Sequence, residues 1–421
     1  MEILISPGSL HGTVRRVIAS KSQSHRALIC AALSDQPTAL SGMAFSVDVD
    51  ATCSCLRALG SRIIQAGDTL TVSPGRPGPD PAVLDCAESG STLRFLLPVA
   101  AALGADAAFT GRGKLAQRPL SPLWEQMTAH GAVLSAQGQF PLRCRGTLRG
   151  GHYEMAGNVS SQFFSGLMMA LPLTGEESEV RVTGRLESAP YLDLTLQTME
   201  AFGVQVLREE GAFRIPGGQH FRSPSSLRIE ADWSGAAFWL AAGALSDEGV
   251  SCEGLNLRSA QGDREIVSLL RGFGARVTEG ESSVRVQAAP MRGLDIDAAD
   301  IPDLVPVLAV VAACARGDTR IRHIRRLRLK ESDRIASVLG LLQALGGKAE
   351  ASEDEMIIHG RETLTGGTVN ACGDHRIVMS AAVAAGRTER PVLIPGAEAS
   401  DKSYPGFFEQ FRALGGIFTA S

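Results

Sequence analysis

The sequence predicts an α/β fold of six like units, grouped three and three into two lobes with a cleft between them, and three observations predict it. A helical apolar pattern that closes on glycine recurs at Leu56–Gly60, Met127–Gly131, Met199–Gly203, Leu270–Gly274, Leu342–Gly346 and Phe411–Gly415, its glycines 71, 72, 71, 72 and 69 residues apart. A second series of alanine-rich apolar helices is interleaved with it, starting at Ser24, Ser91, Ser160, Ser234, Asp303 and Asp374, with spacings of 67, 69, 74, 69 and 71. Short β-like stretches lie between the helices, at Ala132–Leu134, Val204–Leu207, Ala275–Val277, Val284–Val286 and Met356–Ile358. A fixed period of this kind marks a repeated supersecondary unit. Two helices and a few strands in about seventy residues bury too little surface to be a comfortable domain, so the units must pack on one another.

Each element has a local reason. The six glycines fit the residue after a helix end, where a left-handed conformation is needed and other residues enter it at a cost. Phe95–Leu103 and Val305–Val311 are apolar on nearly every side, which calls for helices enclosed by other elements. Pro98 and Pro306 are expected within the early turns of their helices, where the missing N–H is best tolerated.

Composition removes several classes. With 44% hydrophobic and 20% charged residues the 421-residue chain is too apolar to be disordered, and 46 Gly and 20 Pro fall short of collagen-like or low-complexity content. The balance of 41 Lys and Arg against 45 Asp and Glu, net −4, offers no global basic field for nucleic acid or an anionic membrane. The longest apolar run, Leu304–Ala315, is far shorter than the ~20 residues that span a bilayer. Met1–Ser6 has no basic stretch leading into a long apolar one. The expectation is a cytoplasmic protein. Its 8 Cys are scattered singly apart from Cys53 and Cys55, with no Cys-x-x-Cys pair, so buried reduced thiols are expected and no metal site.

The starts of the enclosed helices carry the chemistry: Lys21-Ser22-Gln23-Ser24-His25-Arg26, Glu88-Ser89-Gly90-Ser91-Thr92-Leu93-Arg94, Ser160-Ser161-Gln162, Asp232-Trp233-Ser234-Gly235, Pro302-Asp303 and Asp374-His375-Arg376. Helix N-termini offer free N–H groups and partial positive charge, so several of them facing one cleft make an anion site. Ser, Asp and Gly are also what any N-cap prefers, and a single such segment would be read as capping. Six at one period, several with Lys or Arg attached, point to anion binding instead. Further cations sit in loops at Arg118-Pro119, Lys330-Glu331-Ser332-Asp333-Arg334 and Lys402-Ser403-Tyr404-Pro405. In the second of these a carboxylate stands between cations, an arrangement that can hold an anion while the carboxyl group moves a proton. Lys114 and the run Arg320–Arg328 read as solvated charge, Arg326 excepted.

With Ser20-Lys21-Ser22-x-Ser24-x-Arg26, Gly90-Ser91-x-x-Arg94, Gln117-Arg118-Pro119, Ser160-Ser161-Gln162, Pro190-Tyr191, Ile301-Pro302-Asp303, Lys330 to Arg334, Asp374-His375-Arg376 and Lys402 to Pro405 in this order, the chain resembles the 5-enolpyruvylshikimate-3-phosphate synthases from about Ser6 to Gly415. The resemblance implies the two-lobed enolpyruvyl transferase fold, an inside-out α/β barrel with three βαβαββ units per lobe and the active site in the interlobe cleft. The lobes are expected at 1–14 plus 229–421 and at 15–228.

It also implies a reaction in which the 5-hydroxyl of shikimate 3-phosphate adds to the central carbon of phosphoenolpyruvate and phosphate then leaves the tetrahedral adduct. No metal or organic cofactor is expected, and the enzyme is expected to be a monomer. By the resemblance, Lys21 contacts both substrates. Ser22 and Arg26 hold the carboxylate side of shikimate 3-phosphate, and Ser160, Ser161, Ser188 and Lys330 its phosphate. Tyr191 walls that pocket, and Gln162 touches both substrates. Gly90, Arg118, Arg334, His375, Arg376 and Lys402 are expected at phosphoenolpyruvate, Arg being suited to paired bonds with carboxylate and phosphate oxygens. Gly90 is expected to lack a side chain because one would intrude on that substrate. Asp303 is the expected acceptor of the hydroxyl proton, and Glu331 the donor to the methylene carbon, with Lys21 sharing the load.

Many family members read Asn-Ala-Gly-Thr at Glu88-Ser89-Gly90-Ser91, Asn at His25 and Asn at Arg326, so this chain departs there. Two other readings fit these residues less well. A UDP-N-acetylglucosamine enolpyruvyl transferase would carry a reactive Cys near Arg118, and Gly111–Pro119 has none. A non-catalytic binding protein would not need both carboxylates beside the Lys-Glu-x-x-Arg arrangement.

Overall fold

The computed structural model describes residues 1–421. Twelve α-helices and twenty-four strands form six four-stranded sheets of one plan. In each sheet a parallel pair is extended by two antiparallel strands. Ala82–Asp85 runs parallel to Ala107–Thr110, for instance, and Leu142–Gly146 and Ala132–Leu134 follow antiparallel. Two helices accompany each sheet, in the order βαβαββ for four of them, while the other two take one strand, Glu2–Ile5 or Ser226–Arg228, from elsewhere in the chain, so the period read from the glycines is a structural period. All six are left-handed as expected, with φ of 98° at Gly60, 95° at Gly131, 76° at Gly203, 106° at Gly274, 77° at Gly346 and 88° at Gly415.

The chain divides into a first unit, Met1–Ser20 with Ala231–Ser421, and a second, Lys21–Glu230, each with three sheets. The first division falls beyond the expected one at 14/15. The backbone explains it: Asp232 N donates to Ile18 O at 2.7 Å and Ala19 bridges Ala231, which ties the outgoing and returning strands of chain together inside the first unit. The return division falls at 230/231 because Ser226–Arg228 pairs parallel with Ala39–Ser41, closing a sheet of the second unit.

The enclosed helices are enclosed. In the first unit Val305–Ala313 is buried at every position, and Trp233–Ala244 at every position but Ser234. Burial of each large aliphatic side chain contributes about 1.5–3 kcal/mol. In the second unit Gly90–Ala102 packs on Ser161–Ala170. Pro98 is deep in that helix, not in an early turn. It leaves the carbonyl of Arg94 without its helical donor. That carbonyl lies against Gly166 of the facing helix, where a Cβ would collide with it. Pro306 is at the helix start as expected.

The helix starts shift by a few residues. The observed first residues are Lys21, Gly90, Ser161, Trp233, Val305 and His375. Of the six expected starting residues only Ser160 and Asp374 are themselves N-caps; Ser89 and Asp232 cap two others. Val204–Val206 is not strand, because Gln219 bonds both the N–H and the carbonyl of Gln205 and takes the place of a ladder partner. Seven cysteines are buried and free, and Cys372 is exposed. No helix is long and apolar enough to cross a membrane.

Candidate active site

In the second unit the candidate residues cluster at the starts of Lys21–Leu33, Gly90–Ala102, Ser161–Ala170 and Ala189–Ala201. Lys21 opens the first helix, and its ammonium bonds the Asp48 carboxylate at 2.8 Å. Arg26, one turn on, is buried under the Phe95 ring. It donates to Thr195 Oγ1 (2.7 Å), Ser22 O (2.7 Å), Ser165 Oγ (3.2 Å) and Tyr191 O (2.9 Å). Four of its five N–H groups are thus engaged, and one remains for a ligand. Burial away from any carboxylate pushes this guanidinium down to about 10.

Arg94 ties together three stretches that the sequence offered separately. It donates to Gln162 Oε1 and to Pro119 O, both at 2.9 Å, while Gln162 Nε2 donates to Ser91 Oγ at 2.9 Å. The Gly90 helix start, the Arg118 loop and the Ser160–Gln162 helix start are therefore one assembly. A Cβ on Gly90 would stand 2.6 Å from Nη1 and 2.7 Å from Cζ of Arg118. The glycine makes room for a guanidinium, which refines the expectation that it makes room for a substrate. Ser160 caps its helix through Gln162 N, and Ser188 takes a left-handed φ of 58° before its own helix.

Behind these residues runs a chain of neutral groups. His25 Nδ1 meets Thr52 Oγ1 at 2.7 Å, Thr52 meets Thr92 Oγ1 at 2.7 Å, and Thr92 donates to Ser89 Oγ at 2.8 Å. Burial, then Lys21 and Arg26, hold His25 well below its ordinary pKa, so it is a neutral hydrogen-bonding strut. The position where the resemblance leads one to expect Asn is thus held by a neutral imidazole.

In the first unit the candidate residues form an ionic cluster around Arg334, which is 1% exposed. Its Nε donates to Asp374 Oδ2 (2.8 Å), Nη1 to Asp303 Oδ1 (2.6 Å), and Nη2 to Glu331 Oε2 (2.6 Å). Asp303 in turn faces Arg376 at 3.1 Å and Lys330 at 3.5 Å, and its carbonyl accepts from Arg376 Nη1 at 3.1 Å. Asp303 is not the cap of the Val305 helix; it lies two residues ahead of it, its carboxylate given over to cations. Lys330 and Glu331 likewise precede their helix, which starts at Arg334 with Asp333 as cap. Burial lowers the Lys330 ammonium to about 8 despite Asp303. Burial alone would raise the Asp374 carboxyl, but Arg334 and His375 outweigh it and hold it below the ordinary range. Ser332 Oγ adds a bond to Asp374 at 3.0 Å. His375 opens the Asp374-capped helix, and Lys402 bonds Gly373 O at 3.0 Å just ahead of it.

The arrangement can bind anions on four clustered cations and move protons on two carboxylates. Arg326 is buried and donates to Ala299 O at 2.7 Å, whereas Arg320, Arg325 and Arg328 make exposed ion pairs, as their solvated reading required. Four supporting residues carried no assigned role in the sequence. Arg94 and Asp374 stood inside motifs that named their neighbours. Asp48 and Asp263 gave no local signal, since their partners lie 27 and 29 residues away.

Comparison with known proteins agrees with this geometry. The family model for EPSP synthase (3-phosphoshikimate 1-carboxyvinyltransferase) matches residues 5–411. The 3-phosphoshikimate 1-carboxyvinyltransferase of Clostridium kluyveri is 41% identical over 98% of this chain and 97% of its own length. That of Clostridium perfringens is 41% identical over 99% of both. Among solved structures, EPSP synthase from Acinetobacter baumannii superposes over 100% of both chains with a TM-score of 0.84 and 26% identity. The enolpyruvyl transferase NikO from Streptomyces tendae shares the fold, with a TM-score of 0.79 at 19% identity over 100% of this chain and 98% of its own. The six sheets of one plan make the enolpyruvyl transferase fold, and the chain belongs to the EPSP synthase family.

Proposed function

We infer that the two clusters carry out the family's reaction. The enzyme transfers the enolpyruvyl group of phosphoenolpyruvate to the 5-hydroxyl of shikimate 3-phosphate and releases phosphate, a step of aromatic amino acid biosynthesis. The observation that carries this reading is the ionic cluster of Asp303, Lys330, Glu331, Arg334, Asp374 and Arg376, where proton-moving carboxylates and anion-binding cations are the same assembly.

The 5-hydroxyl oxygen bonds to the central carbon of phosphoenolpyruvate, its proton passing to Asp303, while the methylene carbon takes a proton from Glu331, with Lys21 sharing that load. Collapse of the adduct breaks the bond to phosphate, which leaves with the proton held by Asp303, while a proton from the methyl group returns to Glu331, so both carboxyl groups end as they began. Each substrate carries a carboxylate and a phosphate, the phosphate near two negative charges at neutral pH. Those anions compete with Asp303 for Arg334, Arg376 and Lys330. As they arrive, the Asp303 carboxylate is released from its cationic partners and turned over to the substrate hydroxyl.

For shikimate 3-phosphate we assign Lys21, Ser22, Arg26, Ser160, Ser161, Gln162, Ser188, Tyr191, Asp303 and Lys330. For phosphoenolpyruvate we assign Lys21, Gly90, Arg118, Gln162, Arg334, His375, Arg376 and Lys402. The partly engaged Arg26 contributes one N–H and otherwise holds Ser22 and Tyr191 in place. Action as a monomer in the cytoplasm, on small molecules alone, is part of the same reading. Phosphate release tests it: mixing the enzyme with phosphoenolpyruvate and shikimate 3-phosphate is expected to liberate phosphate, and UDP-N-acetylglucosamine as acceptor is not. Release with the nucleotide sugar instead, or with neither, would overturn it.

A further inference from the structure

Asp48 is a buried carboxylate to which the reaction, as assigned, gives no part. It lies in the first turn of the helix Val47–Ala58, whose cap is Ser46. A carboxylate in a first turn favours the helix dipole, and it can do so from the surface. Asp50, in the same turn, is exposed and fills that role, whereas Asp48 is buried and turned to the Lys21 ammonium at 2.8 Å. The Asp48 and Lys21 side chains are 12% and 18% exposed, so solvent and salt screen their attraction less than they would at the surface.

A lysine that must meet two anions in one place needs holding, because its flexible stem gives the ammonium many positions. The ammonium has three N–H groups; Asp48 takes one and leaves the others for the substrates that Lys21 is assigned. Asp48 is itself fixed. Its carbonyl lies 3.4 Å from Thr92 Oγ1 and 3.5 Å from Thr52 Oγ1, the two hydroxyls are 2.7 Å apart, and Thr92 Oγ1 is 2.8 Å from Ser89 Oγ, the cap of the helix that Gly90 opens. Thr52, Thr92 and Ser89 are all buried. One buried hydroxyl, that of Thr92, therefore stands between the backbone that carries Asp48 and the backbone that carries Gly90.

Lys21 and Gly90 are both assigned to phosphoenolpyruvate, yet they stand on different helices. We propose that Asp48 is a positioning residue for enolpyruvyl transfer: its carboxylate, tied through Thr92 to the Gly90 helix start, holds the Lys21 ammonium in register with the groups that receive phosphoenolpyruvate. The free enzyme thereby keeps the ammonium where the reaction needs it, and less freedom is lost when the substrates arrive. The proposal rests on Lys21 contacting the substrates, as read above.

The test is a double-mutant cycle on the full chain: Asp48→Asn, Lys21→Met and the two together, with kcat, both KM values and the calorimetric dissociation constant for shikimate 3-phosphate. Asp48→Asn keeps the shape and removes the charge that holds Lys21, so kcat is expected to fall about 10- to 100-fold, as it does when a positioned group is misplaced. Added to Lys21→Met, the same change is expected to cost less than about twofold, because what Asp48 holds is already gone. Equal losses in both backgrounds overturn the proposal, since a role in the helix start alone does not need Lys21; wild-type turnover in Asp48→Asn overturns it too. Where Lys21→Met abolishes turnover, the dissociation constant carries the cycle, and where Asp48→Asn does not fold, Asp48→Ser takes its place. Thr92→Val, which keeps the shape without the hydroxyl, is expected to raise KM for phosphoenolpyruvate about three- to tenfold, the worth of one hydrogen bond, and Thr92→Ser to restore it. Wild-type KM in Thr92→Val overturns the link to the Gly90 helix. Lys21→Met is also the separate control: unchanged turnover and binding there remove the assignment of Lys21 itself, whatever the other variants do.

Discussion

In the second unit the cations of the candidate site are held one at a time, Lys21 by a single carboxylate and Arg26 and Arg94 by hydroxyls and carbonyls. In the first unit one guanidinium, Arg334, serves three carboxylates, and one of these, Asp303, serves three cations. Neutral acceptors in fixed geometry keep their character across pH and salt. A network of shared charges redistributes whenever one member gains or loses a partner. The difference assigns precision of position to residues 21–230 and responsiveness to residues 231–421.

Three experiments press on this division. Asp303→Ala removes the shared member of the charged network. Turnover is expected to fall about 10²- to 10⁴-fold, the range of a lost general base, while the dissociation constant for shikimate 3-phosphate, measured by calorimetry, changes only severalfold. Unchanged turnover would take Asp303 out of the mechanism.

Gly90→Ala tests the positional unit. The added methyl meets the movable end of Arg118 and no backbone, so thermal stability should hold. The displaced guanidinium is expected to raise KM for phosphoenolpyruvate by about 10- to 100-fold, as small misplacements in positioned groups do. The KM for shikimate 3-phosphate should stay close to wild type, and an equal rise in both would show that Arg118 serves both substrates.

The smallest effect concerns Lys330. Its ammonium, lowered to about 8, keeps its charge below that pH and loses it above, while a phosphate monoester is already doubly charged above its second pKa near 6. Affinity for shikimate 3-phosphate should therefore weaken from pH 7 to 9 by up to about tenfold, the worth of one charge-assisted bond. Lys330→Met should bind weakly and flatly over that range. A steep fall persisting in the variant would place the titrating group elsewhere.

The repeat was legible because its signal is local. A glycine that must turn left-handed after a helix, and a helix apolar on every side, are visible within a dozen residues. The site was legible in its motifs for the same reason, since Lys330 to Arg334 or Asp374 to Arg376 are short. Pairings across distance were not legible. Nothing near Arg334 announces that its guanidinium takes Asp303 and Asp374, 31 and 40 residues away. Nothing near Asp303 says that its carboxylate leaves the helix it precedes uncapped. The first-unit boundary was misplaced by six residues because the tie between Ile18 and Asp232 joins segments more than two hundred residues apart. Nothing near Pro98 announces that the carbonyl it frees, that of Arg94, lies against Gly166 of the facing helix.

The strand Glu2–Ile5 lies between Val392–Pro395 and Phe418–Ala420, bonded to both. Gly12–Val14 completes another sheet of the same unit beside Val250–Glu253. Residues 21–230, by contrast, contain every strand of their three sheets. On the ribosome, where segments emerge in order and compact regions fold as units, the second unit has all its parts once Glu230 is out. Gly12–Val14 must wait for Val250–Glu253, and Glu2–Ile5 for strands translated last, so the half of the molecule that holds the shared charges is assembled after the half that holds the fixed ones.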